Sequence, residues 1–140
     1  MATFSNNIIS LGNGITNGNT FIGINVDGSN TLNLFHNTVY IGGIASGTTS
    51  NTYALLSTAS NTRVYKNNIF NNSRSGGSTG KHYAASISSA TNLTIDYNDY
   101  YAPNGVLGMF SGTDKTTLTS WTSSVGGNTN SKNVDPGFSS

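Results

Sequence analysis

The sequence predicts an all-β fold: a single-stranded parallel β-helix, or solenoid, of about four to five coils of roughly thirty residues each. Three observations predict it. Asn, Ser, Thr and Gly make up more than half of the 140 residues, yet Tyr, Phe, Ile, Val and Leu fall between them in short clusters. Those clusters repeat about every thirty residues. Ala, Leu, Glu and Lys are scarce and no 3.6-residue apolar period appears, which argues against helix. A β-sandwich built from hairpins would show turns every 8–12 residues or so and would not need the longer period.

Four segments carry the repeat: FSNNIIS from Phe4, FHNTVYI from Phe35, YKNNIFN from Tyr65 and DYNDYYA from Asp96. Asn is a poor strand former and a good turn former, so an Asn inside each segment reads as the bend between two strands. The asparagines chosen as equivalent are Asn6, Asn37, Asn67 and Asn98, spaced 31, 30 and 31 residues apart. Stacked one above another, their amides supply both donors and acceptors for a ladder. A second register follows in NTFIGIN from Asn19, NTYALLS from Asn51 and KHYAASI from Lys81, each with an aromatic ahead of small or aliphatic residues. Turn-like DGSNT, TASNT and SSATN separate the registers, and Gly/Ser-rich loops such as GGIASGTTS close each coil. Residues 1–112 are therefore read as coils and 113–140 as a C-terminal coil and cap of the same domain. In that last part a helical start at Thr117 or Thr119 would lay Trp121 over the core, and VDPGF reads as a turn returning Phe138 to an apolar position.

The segments NNI, HNTVYIGG, VYKNNIFNNS, LTIDYNDYY and the closing LTSW and NVDPGF resemble right-handed parallel β-helix repeats of the pectate-lyase-like superfamily. They are similar in particular to repeat regions of bacterial surface proteins exported by type IX secretion. The resemblance implies a right-handed coil, in keeping with the right-handed preference of parallel crossovers. It also implies an extracellular or cell-surface location. It does not imply one activity, because this solenoid carries lyases, hydrolases, adhesins and inert stalks.

Bulk properties narrow the classes. A net charge of +1 without a basic block gives no electrostatic footprint for nucleic acid. No apolar run approaches the ~18 residues of a membrane span. The absence of cysteine excludes disulfides and thiolate metal sites. MATFSNNIIS lacks the basic start and apolar core of a signal peptide, and its immediate strand-like character suggests a piece of a longer chain or a mature form.

Catalytic candidates are few. The acids are Asp27, Asp96, Asp99, Asp114 and Asp135. Asp96 and Asp99 flank one bend, where they could serve as acid and base or hold Ca²⁺; no other cofactor and no metal centre is expected. Lys81 and His82 form the densest polar cluster, in GKHYAAS. Tyr40, Phe70 and Tyr101 recur in register and would stack sugar rings if they faced outward. The expected function is a non-catalytic scaffold or adhesion segment. Its partners would be further copies or adjacent repeats stacked end to end into filaments, with contact to polysaccharide. The alternative is a fragment of a polysaccharide lyase or glycoside hydrolase.

Overall fold

The computed structural model describes residues 1–47 and 49–138. Thr48, in a predicted loop, and residues 139–140, at the end of the predicted cap, lie outside them. The chain climbs in repeated passes. The first comprises β1 (Ala2–Ser5), β2 (Ile8–Leu11) and β3 (Ile22–Val26). The second comprises β4 (Leu32–Phe35), β5 (Thr38–Ile41), β6 (Ile44–Ala45) and β7 (Thr52–Ser57). The third comprises β8 (Arg63–Lys66), β9 (Ile69–Asn72), β10 (Ser75–Gly76) and β11 (His82–Ile87). The fourth comprises β12 (Leu93–Asp96), β13 (Asp99–Tyr101) and β14 (Val106–Phe110), followed by β15 (Thr113–Lys115) and α1 (Leu118–Val125).

Equivalent strands pair in parallel. The orders are β1-β4-β8-β12, β2-β5-β9-β13 and β3-β7-β11-β14, so three full turns separate β1 from β12. The parallel solenoid expected from the sequence is the fold observed. The core is a stack of aligned residues. Leu34, Tyr65 and Ile95 fill one side, Val39, Phe70 and Tyr100 the second, and Leu55 and Ala85 the third. Tyr100 stacks on Phe70 at 5.8 Å.

The ladder exists, one residue out of the predicted register in two coils. Its rungs are Asn7, Asn37, Asn68 and Asn98. At each step the backbone N–H and Nδ2 both donate to the Oδ1 above. The distances are 3.2 and 2.9 Å from Asn7 to Asn37, 2.9 and 3.0 Å from Asn37 to Asn68, and 3.0 and 2.9 Å from Asn68 to Asn98. Asn37 and Asn98 stand where expected; Asn6 and Asn67 do not. They belong with His36 and Tyr97 in the preceding column, where φ is 58°, 55°, 58° and 58° for Asn6, His36, Asn67 and Tyr97. That left-handed residue makes the bend and points outward; the next residue turns inward and becomes the rung. Asn tolerates the left-handed region well, so either residue of an Asn-Asn pair suits the bend by propensity alone.

The two ends differ. At the C-terminal end β15 pairs antiparallel with β14, ending the parallel stack of that sheet. Helix α1 starts at Thr117, whose side chain accepts from the Ser120 N–H while Ser120 returns a bond to the Thr117 N–H. The helix places Trp121, fully buried, against Tyr100 at 5.4 Å. Gly108 makes room for it: a Cβ there would lie 2.4 Å from the indole ring. The predicted single helical turn is thus an eight-residue helix with the predicted role of covering the core. No helix among the described residues is long and apolar enough to cross a membrane.

Candidate functional site

The bend before β13 carries Asp96 and Asp99, and the groove beside it is lined by Asn67, Asn68, Tyr97, Asn98, Asp99, Asn130 and Lys132, with a volume of about 380 Å³. Asp96 Oδ1 accepts from the Tyr97 N–H at 2.9 Å and the Asn130 N–H at 2.8 Å, and its Oδ2 accepts from Asn130 Nδ2 at 2.8 Å. Slight burial works against its charge, but these bonds and Lys66 hold the carboxyl below its usual range. Asp99 Oδ1 accepts from the Val134 N–H at 3.1 Å. Burial pushes its carboxyl up, with that bond and Lys132 pulling back. Two carboxyls pushed apart is what an acid–base pair requires. Here, however, both are engaged by the C-terminal segment. Asp96 fastens Asn130, while Asp99 fastens Val134 and bridges Lys132 in parallel. No group of three potential metal-ligating side chains occurs among the described residues.

Lys81, just ahead of β11, and His82, its first residue, point different ways. Lys81 Nζ forms an ion pair with Asp114 on β15, and Asp114 also accepts from Tyr83 Oη at 3.0 Å. His82 faces inward and is 2% exposed. Its Nε2–H donates to the Gly76 carbonyl at 3.2 Å, which fixes the tautomer; Nδ1 then accepts from Thr52 Oγ1 at 2.9 Å. Thr52 accepts in turn from Asn72 Nδ2 at 3.0 Å. Burial, with Arg74 nearby, holds the imidazole below its usual pKa, partly opposed by bonds to the Gly76 and Ser75 backbone. Nε2 is committed to Gly76 of β10 and Nδ1 to Thr52 of β7, so His82 has no free lone pair for general-base chemistry.

The aromatic strip is divided. Tyr40 and Tyr101 share an outward column with Asn71, but Phe70 lies one position away and is fully buried between Val39 and Tyr100. Alternation along β9 is the reason: successive side chains face opposite sides. The outward column is also crossed by the chain's own tail. Phe138 meets Tyr40 edge-on at 5.9 Å, and Asp135 lies close to Tyr101. The predicted VDPGF turn is present, with the Gly137 N–H bonded to Asp135 Oδ1 at 2.9 Å.

Sequence reasoning missed two buried arginines. Arg74 donates to the carbonyls of Gly42 at 3.0 Å, Ile15 at 3.4 Å and Asn17, and lies 4.8 Å over the Phe21 ring. Arg63 donates to the carbonyls of Asn61 at 2.9 Å and Ser89 at 2.7 Å. Both are fully buried, and these acceptors are carbonyls, not carboxylates. Arg63 had a legible signal: it occupies the column of Leu32 and Leu93. Around Arg74, Gly43 lets two loops meet, since a Cβ there would lie 2.2 Å from the Gly12 oxygen. Comparison with family models, with curated proteins and with solved structures found no match to the chain.

Proposed function

We propose that the protein is a non-catalytic scaffold segment, a piece of stalk or adhesin built from stacked coils. One observation carries this reading: the four catalytic candidates Asp96, Asp99, Lys81 and His82 are each engaged by another part of the solenoid. Asp96 and Asp99 bind the closing segment, Lys81 pairs with Asp114 on β15, and His82 clamps a loop. The resemblance to surface-protein repeats of the pectate-lyase-like superfamily adds an extracellular or cell-surface setting and export of the type IX kind. The scaffold reading takes further copies or adjacent repeats, stacked end to end, as its partners.

The test is incubation with polyuronates, with and without Ca²⁺, and with neutral polysaccharides, followed by assay for unsaturated or reducing products. The scaffold reading expects none. Turnover that disappears in Asp99→Asn would replace it with the enzyme reading, for which the groove at Asp99 is the place to look.

A further inference from the structure

We infer that the loop corner built around Arg74 and His82 is an acid-released latch. It holds the loops of three successive passes together near neutral pH. It opens, with the coils still paired, when His82 takes a proton. This goes beyond the scaffold reading and does not depend on it. Residues 12–17 of the first pass, 42–45 of the second and 73–77 of the third meet at this corner. The Ile44 N–H donates to the Ile15 carbonyl at 3.0 Å, the Ser75 N–H to that of Gly43 at 3.2 Å and the Gly77 N–H to that of Ala45 at 2.8 Å. Arg74, on the third loop, donates to the Ile15, Asn17 and Gly42 carbonyls of the other two. His82 ties the third loop to β11 through the Gly76 carbonyl. The corner has little else to hold it. β6 and β10 pair over two residues each, and no residue of 42–47 or 73–81 belongs to the hydrophobic core cluster. A unit with so few buried apolar contacts can open locally while the core stays intact.

The charge at this corner is what makes it sensitive to acid. Arg74 is buried and keeps its charge at any working pH. Among the described residues no carboxylate pairs with Arg74 or His82. From β7 the imidazole meets Thr52, which Asn72 of β9 also contacts, and from β10 it meets Ser75 and Gly76. Ahead of β14, Gly105 packs on its backbone: a Cβ there would lie 2.0 Å from the His82 carbonyl oxygen. Beside it in sequence, Lys81 and Tyr83 both turn to Asp114. Burial, and then the Arg74 charge, disfavour a cation at His82. A proton on Nδ1 also removes the acceptor that Thr52 Oγ1 uses. Opening the corner returns both cations to water, where the imidazole regains its ordinary value of about 6.5. Opening therefore takes up a proton. Below about 6.5 the open fraction grows by up to about tenfold per pH unit, until the closed-state value is reached; well above 6.5 it stays constant.

Amide hydrogen exchange between about pH 7.5 and about pH 5 tests this, each rate being divided by that of the unstructured peptide at the same pH. The Ile44, Ser75 and Gly77 N–H groups are the reporters, and the Asn68 N–H of the ladder is the reference. At every pH the reporters are expected to be at least about tenfold less protected than Asn68, and nearly indifferent to low urea because little surface is exposed. Their protection should fall by up to about tenfold per pH unit below about 6.5. An NMR titration of the His82 ring in the same protein gives the closed-state value. Each unit by which it lies below 6.5 or so should appear as about a tenfold loss of reporter protection. His82→Gln keeps a donor for the Gly76 carbonyl but cannot titrate, and should leave reporter protection independent of pH. Reporters that match Asn68 in protection and urea response would overturn the inference, because the corner would then open only with the whole fold. So would a ring that titrates at about 6.5 or above, or the same acid response in His82→Gln. The wild-type titration and exchange decide the question on their own if that variant does not fold.

Discussion

Asn67 and Asn68 are adjacent, chemically identical and structurally unlike. Asn68 is 1% exposed; its Oδ1 receives both donors of Asn37, and its amide reaches the Leu34 and Lys66 carbonyls and Asn98. Asn68→Ala orphans buried donors and acceptors at about 1–3 kcal/mol each, so a loss of about 3 kcal/mol or more is expected in urea unfolding. Asn67→Gly keeps the left-handed bend and should change stability by less than about 1 kcal/mol. This contrast also explains what the sequence could not reveal. Propensity places an Asn-Asn pair at the bend but cannot choose between its members. The choice follows from the inward apolar residue two places after each rung: Ile9, Val39, Phe70 and Tyr100. Ile8 competes for that assignment in the first coil, yet it is 85% exposed. His82 yields a pH prediction. Its folded pKa is depressed, so its contribution is complete above the ordinary imidazole value of about 6.5 and is lost as pH falls below it through the folded value. Unfolding midpoints should fall across that window, and His82→Gln should flatten the dependence.

At the scale of elements, the cap is the part whose role the sequence announced best. The change in pattern after Ser111, a Thr ahead of Trp121 and a late turn marked its position. Its depth of packing was not legible, because it depends on Gly108 lying under the indole. Trp121→Ala should cost about 3–5 kcal/mol by exposing Tyr100 and leaving a cavity, and Thr117→Ala about 1 kcal/mol through the lost N-cap; chemical denaturation followed by Tyr and Trp fluorescence measures both. The candidate sites were legible as residues and not as environments. Asp96 and Asp99 flank a bend, as expected, but their partners Asn130 and Val134 lie more than thirty residues further on. Arg74 was invisible for a related reason: its partners at Ile15 and Asn17 come from a loop two passes earlier.

Over the whole molecule, the thirty-residue period determined the architecture because each coil must bury its inner face against the next. Function is harder to read from such a chain. Its conspicuous polar residues are spent on stacking, and the last coil is covered by Trp121 against Tyr100 and by Ser131 beneath the Asn98 rung. The central claim is that Asn7, Asn37, Asn68 and Asn98 wind the solenoid as one hydrogen-bonded column. Side-chain amide hydrogen exchange by NMR tests it most directly. The account predicts slow exchange for the Nδ2 protons of Asn37, Asn68 and Asn98 and fast exchange for those of Asn6 and Asn67. Equal rates across the two sets, or protection of Asn67 above Asn68, would contradict it.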